Sequence, residues 1–79
     1  MGSIEHNREL NILGLRCPSC ALELVMELGE MQEGETLKVI SDDPSTTKDF
    51  PRVLEVKGHK LMSQSENANG EYIYFVRKS

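Results

Sequence analysis

The stretch Glu9-Leu10-Asn11-Ile12-Leu13-Gly14-Leu15-Arg16-Cys17-Pro18-Ser19-Cys20-Ala21-Leu22-Glu23-Leu24-Val25-Met26-Glu27-Leu28 decides the fold, because its period changes in the middle. Glu9 to Leu13 alternates, with Leu10 and Ile12 on one face, which is the spacing of a strand. Gly14 ends that strand. From Pro18 onward Ala21, Leu24, Val25, Leu28 and Met31 recur at helical spacing and form one stripe fit for burial. Glu23, Glu27 and Glu30 fall largely off that stripe. Pro18 suits the first helical position, where a missing N–H costs nothing. A helix is therefore expected over 18–31. Gly29 is its weak point, at about 1 kcal/mol relative to Ala, and Gly34 marks the turn out.

Working outward, Thr36 to Ser41 reads as a second strand with Leu37 and Val39 sharing a face. Asp43-Pro44 reads as a helix start, Asp as N-cap and Pro at the first position. That helix continues from Thr46 to Val56. Pro51 predicts a kink or a two-part helix, with Asp49 able to cap the second part. Gly58 is a natural stop. Lys60 to Ser65 reads as a third strand, Asn67 to Gly70 as a polar turn, and Glu71 to Arg77 as a fourth strand. On that last strand Tyr72, Tyr74 and Val76 share one face, and Ile73 and Phe75 the other. The order β-α-β-α-β-β predicts an α+β fold: a two-layer α/β sandwich with two helices packed on a four-stranded mixed sheet. Residues 1–8 read as a flexible polar tail and 9–79 as a single domain.

With 79 residues, 38% hydrophobic and 28% charged, the chain suits one small globular domain with surface chemistry. Tryptophan is absent, so the core rests on aliphatics, methionines (Met26, Met31, Met62), Phe50, Phe75 and the tyrosines. The net charge of −4 and nine scattered Lys and Arg argue against direct nucleic-acid binding. No apolar run approaches a membrane span, and Met1 to Glu9 lacks the apolar centre of a signal peptide. A cytoplasmic location is expected. Two nearby cysteines in a reducing compartment read as reactive or metal-binding before they read as a staple.

The chemistry therefore points to Cys17-Pro18-Ser19-Cys20, where strand, loop and helix meet. Cys17 falls at the N-cap position. There, free backbone N–H groups and the helix dipole favour a thiolate. Arg16 adds a neighbouring positive charge for thiolate stabilisation. A thiolate at a helix start suits a nucleophile that picks up and hands on sulfur. The bland alternative makes Cys17 a small apolar plug in the loop. Cys20, three residues on, has two balanced readings: a resolving thiol for a persulfide or disulfide on Cys17, or a small buried hydrophobe one turn before Leu24.

Several blocks together resemble one family. They are Leu13-Gly14-Leu15-Arg16-Cys17-Pro18, then Met31-Gln32-Glu33-Gly34-Glu35-Thr36-Leu37, then Ser41-Asp42-Asp43-Pro44-Ser45-Thr46-Thr47-Lys48-Asp49-Phe50-Pro51, then Gly58-His59 and the closing Tyr74-Phe75-Val76-Arg77-Lys78. In order and spacing, from about Glu9 onward, they resemble the TusA-type (SirA-like) sulfur-carrier family. The resemblance implies a two-layer sandwich and no bound cofactor. It implies a sulfur transfer protein, a persulfide carrier rather than a turnover enzyme. Sulfur would come from a cysteine desulfurase or another persulfide donor and pass to a downstream relay protein. Such relays serve tRNA thiolation, sulfur metabolism or cofactor biosynthesis. The family's functional cysteine falls on Cys17 and the first proline of its Cys-Pro-x-Pro motif on Pro18. The second proline is Cys20 here, and a neighbouring thiol there would allow reductive discharge through a Cys17–Cys20 disulfide. Asp42, Asp43, Pro44, Asp49 and Pro51 match the family's second-helix signature and read as caps and a fixed helix entry. A carrier that visits partners is expected to be a monomer.

Two other readings compete. Cys-Pro-x-Cys at a helix start is also a thiol-disulfide redox pattern, although the element order differs from that of glutaredoxin-like proteins. A soft-metal module would need ligands beyond Cys17 and Cys20, and the only imidazoles are His6 and His59. No Ser-His-Asp set or phosphate-cradling glycine loop is visible. Arg16, Lys48 and Arg52, near the starts of both helices, would suit an acidic rim on a partner.

Overall fold

Alternation and helical spacing build six elements in a computed structural model that describes residues 8–16 and 19–79. They are β1 (Arg8–Asn11), α1 (Ser19–Gly29), β2 (Thr36–Ser41), α2 (Thr46–Lys57), β3 (Lys60–Glu66) and β4 (Tyr72–Arg77). The four strands form one mixed sheet in the order β1-β2-β4-β3. β1 runs parallel to β2, while β4 is antiparallel to both β2 and β3. The element order and the α+β, two-layer architecture are those the sequence predicts.

The two central strands supply most of the sheet's share of the core. Leu37 and Val39 of β2 and Tyr74 and Val76 of β4 have no exposed surface and face the helices. Leu24 and Leu28 of α1 and Phe50 and Leu54 of α2 close the layer from above, with Ile12 beyond the end of β1 and Met31 beyond the end of α1. Tyr74 sits at the centre. Its ring lies 4.9 Å from that of Phe50, at 57°. A buried phenol needs a partner, and this one finds Thr46 Oγ1 at 2.6 Å. Thr46 in turn donates to the Asp43 carbonyl at 2.7 Å, so the Tyr74 hydroxyl is the donor of the pair. A chain of hydrogen bonds thus ties the sheet to the entry of α2.

Details depart from the sequence reading. β1 begins at Arg8, not Glu9, because Arg8 pairs with Leu37 and its guanidinium reaches Glu27 at 2.7 Å and Glu30 at 3.5 Å. α1 ends at Gly29, and Met31 reaches the core from a following turn. α2 starts at Thr46 rather than Pro44. The Asp43 carboxylate accepts the Ser45 N–H at 3.0 Å, a turn ahead of the helix rather than a cap on it. Pro51 does not divide α2, which runs unbroken from Thr46 to Lys57. The carbonyl that Pro51 cannot serve, that of Thr47, accepts instead from the Gln64 side chain of β3 at 3.5 Å. Gly58 closes the helix in the left-handed region (φ 82°), with Gly58 N–H on Glu55 and His59 N–H on Leu54. Among the described methionines only Met31 is core, for Met26 and Met62 are exposed.

Replacing Tyr74 with Phe keeps the ring and removes the hydroxyl from Thr46. Urea denaturation should show a loss of about 1 kcal/mol with an unchanged slope, the ordinary net worth of one hydrogen bond.

Candidate functional site

Parallel strands leave a sheet at the same edge. The segment after β1 and the segment after β2 therefore meet. β1 pairs with β2 through Asn11 and Ile40, and Ile12 N–H still donates to the Ile40 carbonyl at 2.9 Å. The chain then turns. Leu15 N–H returns to the Ile12 carbonyl at 3.1 Å, and Gly14 at the third position of that turn has φ 87°, the value a type II turn needs there. Asn11 Oδ1 accepts the Leu13 N–H at 3.0 Å and steadies the turn's start.

Two residues beyond Ile40, Asp42 takes over where the backbone ladder stops. Its Oδ1 accepts the Gly14 N–H at 3.0 Å and the Arg16 guanidinium at 2.8 Å. The same Arg16 nitrogen donates to the Leu15 carbonyl at 2.9 Å. The Asp42 carboxyl is held below the usual carboxylate range, first by the Gly14 N–H and then by Arg16. Arg16 is thus an exposed cation in an ion pair, not a free charge.

Arg16 also starts the next element. Its carbonyl accepts from Ser19 N–H at 2.8 Å and Cys20 N–H at 3.4 Å. Those two first-turn donors are engaged within the backbone, so they are not available to a neighbouring sulfur as the sequence reading supposes. Cys17 and Pro18 lie outside the described residues. Their flanks, Arg16 on one side and Ser19 on the other, are exposed.

Cys20 is fully buried within the core cluster. Its thiol donates to the Leu15 carbonyl at 3.2 Å. Burial pushes its pKa up, with the nearby Ser41 hydroxyl working against that rise. The thiol form is thereby favoured, and as it stands the sulfur is not presented to solvent as a nucleophile. Ser41 accepts the Asp43 N–H at 3.1 Å, so β2's end and the entry to α2 form a polar seat beneath the loop.

The structure gathers Arg16, Cys20, Ser41, Asp42 and Asp43 at one end of the molecule. Asp42 is the member whose part sequence reasoning mistakes. Read along the chain it looks like a helix cap, whereas it serves a loop 28 residues earlier. Lys48 and Arg52 lie exposed on α2. His59 stands apart from this cluster: its Nδ1 accepts the Ser79 N–H at 3.2 Å, and burial, with Lys78 and Lys57 nearby, lowers its pKa. Among the described residues no three His, Cys, Asp or Glu side chains converge as for a metal, and no helix is long and apolar enough to cross a membrane. An apolar groove runs beside the start of α1, lined by Ala21, Leu22, Val25 and the Lys57 of α2. Leu13, Leu15, Leu22 and Met26 are exposed apolar side chains of the same loop and helix.

Fold and site together define a small α+β sandwich whose Cys-Pro-x-Cys segment ends in the first turn of its first helix. Residues 8–78 match the family described as Sulfurtransferase TusA. The chain is 40% identical over 78 residues to the sulfur carrier protein TusA of Pseudomonas entomophila, covering 99% of this chain and 96% of that one. It therefore belongs to the TusA family of sulfur carriers. A SirA-like protein of Desulfitobacterium hafniense shares the fold, with a TM-score of 0.80 over 90% of this chain and 96% of that one at 19% identity.

The state of Cys20 can be read directly. At neutral pH, iodoacetamide should leave the Cys20 position unmodified in the folded protein and modify it in guanidinium, as peptide mass spectrometry would show. Rapid modification in the folded state would contradict the burial described.

Proposed function

We propose that the protein carries sulfane sulfur as a persulfide on Cys17. The observation that carries this reading is the match of residues 8–78 to a sulfur-carrier family; Cys17, which opens the Cys-Pro-x-Cys segment, is the cysteine to which the resemblance assigns the sulfur. In the transfer, the Cys17 thiolate attacks the outer sulfur of a donor persulfide. The sulfur–sulfur bond of the donor breaks, its thiolate leaves, and Cys17 becomes a persulfide with no net oxidation. The reverse chemistry hands the sulfur to an acceptor thiol. No bound cofactor takes part. A cysteine desulfurase is the donor class that fits, and the acceptor is a further sulfur-relay protein.

The protein works in this account as a monomer in a reducing compartment, the cytoplasm, where both cysteines remain thiols. Partners approach the exposed loop and the apolar groove of α1, with Arg16, Lys48 and Arg52 as a basic rim. Arg16 contributes to Cys17's setting through its ion pair with Asp42, and a proline at position 18 is the residue type that suits a helix entry. Cys20, buried and protonated, is a poor attacker of a Cys17 persulfide, which favours persistence of the load over discharge as a disulfide.

The test is to incubate the reduced protein with a cysteine desulfurase and cysteine, and then record peptide masses. The Cys17 peptide should gain one sulfur atom in the wild type and in Cys20→Ser, with similar lifetimes, and Cys17→Ser should gain none. A markedly longer-lived adduct in Cys20→Ser would restore the resolving role for Cys20. No adduct in any variant, with a ready Cys17–Cys20 disulfide instead, would favour thiol-disulfide exchange.

A further inference from the structure

The geometry points to Asp42 as the positioning residue for sulfur transfer at Cys17, an inference that rests on the carrier reading above. The parallel ladder between β1 and β2 sends Ile12 N–H to the Ile40 carbonyl. Two residues on, the next rung of a parallel ladder would take Gly14 N–H to the Asp42 carbonyl. The Asp42 side chain takes that rung instead, at 3.0 Å. Its short reach lets the chain leave the sheet at Gly14 while remaining tied to it.

The same carboxylate oxygen holds the Arg16 guanidinium. Arg16 then closes on the Leu15 carbonyl, which also receives the Cys20 thiol. Gly14, Leu15 and Arg16 are each fixed by a side-chain hydrogen bond, and Arg16 is the residue that precedes Cys17. A three-residue lead-in tied at every position leaves little freedom in where the following residue starts. Asp42 is the group common to two of the ties. Asp42 and Arg16 cancel one another's charge, so the pair acts on the neighbouring thiol mainly through geometry. A cation acting alone would instead shift the thiol's pKa. These two modes make different predictions.

The experiment measures single-turnover sulfur uptake from a desulfurase by wild type, Asp42→Ala and Asp42→Asn. The pH profile of Cys17 alkylation is recorded beside it, and far-UV circular dichroism checks folding. Asp42→Ala should slow uptake on the order of 10- to 100-fold, the cost of misplacing a reacting group by about an ångström. The alkylation pKa should not rise, and the Arg16 guanidinium left without its counter-charge can only lower it, so the slowing cannot come from a scarcer thiolate. Asp42→Asn, whose amide oxygen still accepts the Gly14 N–H, should recover part of the rate. Uptake at the wild-type rate in folded Asp42→Ala would overturn the inference. So would a rate change wholly accounted for by a shifted Cys17 pKa, since Asp42 would then act by charge. If the wild type takes up no sulfur, the carrier reading fails and takes this inference with it, an outcome distinct from a loaded wild type and an equally loaded variant.

Discussion

The parallel pairing of β1 with β2 is the constraint from which the rest follows. Parallel neighbours end at one edge of the sheet and need a crossover between them, here α1. Both helices must then begin at that same edge. This is why Gly14 and Arg16 find Asp42, and why Cys20 lies near Ser41 at the foot of α2. Had β1 run the other way, its exit loop would lie at the opposite end of the sheet, far from the residues that hold it. The closing hairpin of β3 and β4 completes the core beneath, and Tyr74 links it to α2 through Thr46.

Electrostatically the site is quieter than a run of Arg16-Cys17 suggests. The cation is paired, its partner carboxylate is stabilised in the ionised form, and two N–H groups of the first helical turn are spent on the Arg16 carbonyl. What remains at the end of α1 is the helix dipole itself, which favours negative charge in its vicinity. A carrier needs a thiol that both takes up sulfur and gives it away. A persulfide that forms readily must also leave readily, and a thiol of very low pKa would bind the transferred sulfur less well than its acceptor does. Cys20 fits that design as a core residue: its thiol is spent on the Leu15 carbonyl, and it packs in the cluster with Leu24 and Leu28.

Most of the fold was legible because its signals are local. Period two in Thr36–Ser41, period 3.6 after Pro18 and the glycine stop at Gly58 each act within a few residues. Local signals mislead where a distant residue bears on the outcome. Pro51 sits inside an unbroken helix, and Gln64, on another strand, reaches the carbonyl that the proline leaves without a donor. Arg8 joins β1 because two glutamates of the first helix and its following turn draw it in. Met26 is exposed although methionine suits a core, since its place on α1 turns away from the sheet. Within the site, Cys17 is marked by composition and position alone. The role of Asp42 is not, because a carboxylate between a strand and the Asp43-Pro44 helix entry looks locally like part of the cap. Only the register of β1 against β2 reveals that it faces the loop.

The central claim is that sulfur rests on this chain between donor and acceptor. Cyanolysis tests it most directly. Protein loaded by a desulfurase, then separated from donor and cysteine, is treated with cyanide, and the thiocyanate released is counted. The account predicts release approaching one thiocyanate per chain, abolished by Cys17→Ser and retained in Cys20→Ser. Absence of thiocyanate from the separated wild-type protein would contradict it, because sulfur that does not stay on the chain is not being carried.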